Sequence, residues 1–123
     1  MSVPASWSAR QQSIGDHTTY WWTDPSDPFR RIEVVISGCY GCARDSAGNP
    51  APWTAVPPNS SVSAISPTKV GFVDYSTDDP YPGNGIVVVP TGTNLGYALA
   101  ELWLPDTEHS TATTILNSFE VPV

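Results

Sequence analysis

With 123 residues the chain has the length of one ordinary domain, enough to bury a real core without metals or disulfides as staples. Twelve Asp and Glu against five Lys and Arg leave a formal net charge of −7. Phosphate backbones and anionic membranes are repelled by that average field, and no basic cluster exceeds the pair Arg30-Arg31, so nucleic-acid and membrane roles are disfavoured.

Residues 1–17 read as an N-terminal arm. The opening MSVPASWSARQQ lacks the basic start and apolar run of a secretory signal, so synthesis in the cytoplasm without a signal peptide is expected. Pro4, Gly15 and small polar residues surround an isolated Trp7. A tryptophan on a polar arm anchors it in an apolar pocket, of its own domain or of a neighbour, or else caps the sheet locally. Residues 18–123 then form a single β-domain. Thirteen prolines are spread over the chain, in steps such as Asp24-Pro25, Asn49-Pro50 and Tyr81-Pro82, and leave few gaps that hold a helix of typical length.

Residues 18–23 (TTYWWT) read as a β-branched and aromatic strand, with Trp21 and Trp22 on opposite faces. Residues 31–37 (RIEVVIS) follow, with Ile32, Val34 and Ile36 on one face. Residues 38–58 read as a long loop rich in Gly, Asn and Pro. Residues 60–65 (SSVSAI) alternate. Residues 69–75 (KVGFVDY) are apolar on both faces, so both faces are expected to be covered. Residues 76–85 read as a turn-rich loop, with Gly83 to Gly85 as a turn, and Ile86 to Val89 as a buried strand closed by Pro90. Residues 95–104 (LGYALAELWL) fit either a helical stripe of Leu95, Leu99 and Leu102 or a strand with Tyr97, Leu99 and Trp103 on one face; Gly96 and the short span tip the balance to strand. Residues 117–123 alternate Phe119, Val121 and Val123, with Pro122 marking an edge strand or a departing tail. The fold expected is all-β: a single small antiparallel sandwich or barrel, of jelly-roll or immunoglobulin-like size, behind an extended N-terminal arm.

Chemistry-bearing motifs are few. Cys39 and Cys42 form a Cys-x-x-Cys, but turn-rich sequence follows where a redox motif needs a helix. A zinc site needs His17 and His109 as well, at a spacing no finger uses. The plainer reading is two small thiols in a Gly-rich loop, reduced or joined in a local disulfide. Asp24 with Asp27, and Asp74 with Asp78 and Asp79, sit in acidic turns. Asp78 and Asp79 are the best calcium candidates, although Asp-Pro steps more often mark turns. No Gly-x-Ser-x-Gly elbow occurs, and a Ser-His-Asp constellation has no local support. No catalytic residue, metal or cofactor is therefore expected.

Aromatic residues remain. Trp7, Trp22, Trp53, Tyr81 and Phe119, together with Val121 on the C-terminal strand, are the candidate contact residues, because aromatics near loops and tails anchor interfaces. The functional expectation is a non-catalytic structural or interaction protein. Its partner is a protein, itself or a larger scaffold, as for capsid decoration or tail accessory proteins of phage particles; the warrant is analogy of form. The alternative is a lectin-like, carbohydrate-binding module that stacks loop Trp and Tyr on sugars.

Overall fold

Turn chemistry cuts the chain into two antiparallel meanders that flank one central strand. The computed structural model describes residues 5–75, 80–90, 96–117 and 119. The first meander is β1 (Ser8–Ile14), β2 (His17–Asp24) and β3 (Asp27–Ser37). The second is β4 (Ser60–Ser66), β5 (Lys69–Asp74) and β6 (Gly83–Val88). Strand β7 (Tyr97–Trp103) inserts between β3 and β6, giving one seven-stranded sheet in the order β1-β2-β3-β7-β6-β5-β4. Every neighbouring pair is antiparallel. The sheet is not closed into a barrel: β1 and β4 are its two edges.

Local sequence explains the turns. Ile14 pairs with His17 across Gly15-Asp16, and Gly15 has φ +60, the positive first position of a type II′ hairpin. At the next turn the Asp24 carboxylate accepts the Ser26 N–H at 2.9 Å and the Ser26 hydroxyl at 2.7 Å, closing an Asx turn.

The period of two sorts the central strands onto two buried faces. One face carries Ile32, Val34, Ile86, Ala98, Ala100 and Leu102. A short helix, α1 (His109–Asn117), lies over it and adds Ala112 and Ile115, with Leu104 and Phe119 beside them. The small side chains Ala98 and Ala100 let the helix come close. The opposite face carries Val70, Phe72, Val87 and Leu99, covered by Ala55 and Val56 at and just after a 3₁₀ turn, Pro52–Ala55. Strand β7 is therefore buried on both sides.

Several expectations change here. The described residues make one sheet covered by a helix and a loop, where a sandwich would stack a second sheet. Residues 8–14, expected within the arm, pair with His17 through Thr23 of β2 as strand β1. Within the segment read as helix or strand, Tyr97–Trp103 form strand β7. The helix at 109–117 was not expected, because Thr111, Thr113, Thr114 and Ile115 are weak helix formers. Its end at Asn117 also removes the start of the expected C-terminal strand; Phe119 is buried, and Val121 lies outside the described residues.

Gly83 to Gly85 is not a turn but the start of β6. A Cβ on Gly85 would lie 2.1 Å from the Phe72 ring, and one on Gly83 would lie 2.0 Å from Glu101 Oε2. These glycines make room for large cross-strand neighbours. Among the described residues no helix is long and apolar enough to cross a membrane.

Candidate functional site

Three polar constellations and two sheet edges could carry function. The first constellation lies on the loop-covered face. Glu33 and Glu101 pair directly across β3 and β7. Trp21 Nε1–H donates to Glu33 Oε2 at 3.3 Å, and the Arg10 guanidinium sits 4.4 Å above the Trp21 ring. Arg31 lies 3.9 Å over the Trp103 ring. Glu101 is only 4% exposed, and its pKa is pushed up to about 9. Burial is the main cause; a hydrogen bond with Asp74 and the charges of Asp74 and Glu33 add to it, while Arg31 opposes it. Glu101 therefore holds its proton at neutral pH. Its Oε2 and Trp103 Nε1 have no hydrogen-bond partner among the described residues. A neutral buried acid resembles a general acid, yet its enclosure keeps substrate atoms away from it.

The second constellation is one the sequence reading missed. Asp16 Oδ1 meets His17 Nδ1 at 2.5 Å, and His17 Nε2 meets Ser37 Oγ at 3.3 Å. That is the order of an acid–histidine–serine relay. The signal was not local, because Ser37 comes opposite His17 only through the β2–β3 register. Ser37 is fully buried at 0% exposure, and its Oγ also accepts the Cys39 N–H at 3.1 Å. The serine ties the strand end to the following loop and presents no open nucleophile.

The third constellation is a clamp. Arg30 donates through Nε to Glu108 Oε2 at 3.0 Å and through Nη2 to Glu108 Oε1. Its Nη1 donates to Asp24 Oδ2 at 2.5 Å, and the Trp7 ring lies 5.7 Å from its guanidinium. The clamp joins the β2–β3 turn to the segment that enters α1.

Cys39 and Cys42 are joined in a disulfide with Cα atoms 5.4 Å apart, inside a turn closed by Cys42 N–H donating to Cys39 O. Bridged sulfurs do not ligate zinc. Among the described residues no group of three His, Cys, Asp or Glu is placed to hold a metal. Asp24 is committed to Ser26 and Arg30, and Asp27 accepts the Tyr81 hydroxyl at 2.6 Å. The calcium candidates Asp78 and Asp79 lie outside the described residues.

The six contact candidates scatter. Trp7 and Trp22 pack against the helix-side core, with Trp22 stacked on Tyr20 at 6.1 Å. Phe119 is buried in the same core. Tyr81 is half-buried and bonded to Asp27. Val121 falls outside the described residues. Of the five that lie among the described residues, Trp53 alone stands largely free, 56% exposed at the 3₁₀ turn.

What the sequence reading did not single out is edge strand β4, SSVSAIS. It carries no charge and no proline, and Val62 and Ile65 are 46% and 58% exposed. Tyr75 N–H donates to Asn59 O at 3.4 Å. By the alternation of an antiparallel ladder, Ser61 and Ser63 then bond inward to β5, and the N–H and C=O groups of Ser60, Val62 and Ala64 point away from the sheet. Strand β1, SARQQSI, is the other edge and is also exposed along its length, with one charge at Arg10.

No family model, no curated protein and no solved structure matches this chain.

Proposed function

We propose that this chain is a non-catalytic structural protein that makes protein–protein contacts in a larger assembly, with itself or with a scaffold, in the manner of capsid decoration or tail accessory proteins of phage particles. The open edge strand β4 carries this reading. Natural sheets guard exposed edges with lysine, proline, inward charges or short strands. Here Ser60, Val62 and Ala64 leave a row of outward amides and carbonyls with neither charge nor proline on the strand, beside exposed Val62 and Ile65; a break in register between Ala64 and Ser66 confines the regular edge to Ser60–Ala64. Such an edge is a template for another strand. The polar constellations support the same reading from the other side, since the serine and the proton-bearing carboxyl are both enclosed.

Native mass spectrometry of the protein taken from its source tests the proposal. Recovery in stoichiometric complexes, with copies of itself or with one defined protein, is the expected result. A bare 13.2 kDa chain under every gentle condition would overturn it.

Exposed Trp53 favours a second reading, carbohydrate binding by stacking. A glycan array probed with the wild-type chain and with Trp53→Ala tests it; equal silence from both removes it.

A further inference from the structure

The two edges of this sheet are related by a simple rule of direction. Seven strands that are all antiparallel to their neighbours place β1 and β4 at the first and seventh positions, so the two edges run the same way. A copy translated beside the first would set β4 against β1 in parallel, the weaker pairing. A copy turned by a two-fold axis perpendicular to the sheet sets β4 against β4 in antiparallel, and the same patch serves both partners.

Resting on the assembly reading above, we propose that the partner at β4 is a second copy of this chain, added by two-fold antiparallel pairing of Ser60–Ala64, the regular part of the strand, into one continuous fourteen-stranded sheet (seven strands from each copy). The register follows from the outward groups. Val62 pairs with Val62 of the second copy by exchanging two hydrogen bonds, and Ser60 pairs with Ala64 on either side. Small residues at Ser61 and Ser63 let the backbones close up, and Val62 gains an apolar neighbour on its own face. Charge selects the strand. Two molecules of net charge −7 repel each other on average, and β4 offers seven consecutive residues without a charge, so the copies approach there at least cost. Strand β1 lacks that advantage, because self-pairing brings two copies of Arg10 to one seam.

The five residues a side, Ser60–Ala64, fall well short of the roughly 20–30 of a stable interface, so the dimer is weak in dilute solution and is reinforced where copies are held together. The full-length chain is examined by sedimentation velocity over a roughly hundredfold concentration series reaching the high-micromolar range, alongside Val62→Lys and Gln11→Lys. The mass should rise with concentration from 13.2 kDa toward twice that value. Val62→Lys should weaken association about tenfold or more, while Gln11→Lys on β1 leaves it unchanged. Ala64→Lys serves in place of Val62→Lys if circular dichroism shows that the latter fails to fold. Hydrogen exchange supplies a second readout: the amides of Ser60, Val62 and Ala64 should gain protection as concentration rises.

Association that survives both β4 variants and falls with Gln11→Lys overturns the β4 assignment and leaves the assembly reading standing. A chain that stays monomeric throughout overturns self-pairing. If the β4 amides are also protected in that monomer, the occupant is another part of the same molecule.

Discussion

At the scale of single residues, Glu101 links the sheet to pH. Its carboxyl is neutral in the fold up to about pH 9, while in the unfolded chain it ionises near 4.5. Between those values the folded state binds the extra proton, so the stability linked to this group falls as pH rises across the window. Asp24 has the opposite sign. The Ser26 hydroxyl and N–H, helped by Arg30, hold its pKa below the ordinary value, so its contribution is present above about pH 4 and is lost in acid. The two limbs place maximum stability on the acid side of neutrality. Thermal melts from pH 3 to pH 9.5 should show that maximum, and Glu101→Gln should flatten the alkaline limb because Gln keeps a donor toward Asp74. An unchanged alkaline limb in the variant would rule out Glu101 as its source.

Gly85 gives a second prediction at this scale. With the Phe72 ring 2.1 Å from where its Cβ would stand, Gly85→Ala forces the ring or the strand aside and should cost about 1–3 kcal/mol in denaturant unfolding. Adding Phe72→Leu should recover part of the loss, whereas a purely additive double variant would mean that the two positions do not compete for space.

Among the elements, α1 is held by packing and by one ion-pair clamp. Its helix-forming tendency is weak, and its docking rests on Ala112, Ile115 and the bidentate Arg30–Glu108 pair. Arg30→Ala should therefore speed amide exchange across residues 109–117 more than Glu108→Gln does, because Arg30 also holds Asp24 and touches Trp7. Uniform exchange in both variants would make the clamp irrelevant to the helix. The disulfide is a smaller matter. It closes a loop three residues in separation, and the chain-entropy argument gives about 2 kcal/mol for so short a ring. Reduction should lower the melting temperature by a few degrees without unfolding the chain, and complete unfolding on reduction would contradict this.

The elements were legible where two periodicities did not compete. Ile32, Val34 and Ile36 announce β3 because they recur at every second position, with Arg31, Glu33 and Ser37 on the other face and Val35 its one apolar member. Strand β7 was ambiguous because it is buried on both sides and so shows no alternation. Strand β1 was hidden by its composition. SARQQSI buries none of its seven side chains, so it is a strand by virtue of its ladder with β2 alone. Helix α1 was hidden because three threonines mask an apolar stripe of Ala112, Ile115 and Leu116. In the candidate site, the adjacent Asp16-His17 pair was visible but its serine was not, since only the hairpin register supplies Ser37.

For the molecule as a whole, alternating apolar residues told that each sheet face would be covered but not by what. A second sheet, a helix and a folded loop all hide the same residues, and here one face received the helix and the other the loop. The charge balance was legible and still constrains partners. The absence of charge and proline on β4 was present in the letters SSVSAIS, but it carries meaning only once that strand stands at a rim.

Pairing two copies about an axis normal to the sheet preserves the sense of up and down. Both α1 helices would then lie above the joined surface, and both Pro52–Ala55 turns below it. Each dimer would thus offer its two Trp53 rings to the same side, so a repetitive target beneath could be gripped twice, and feeble single contacts would add into durable attachment.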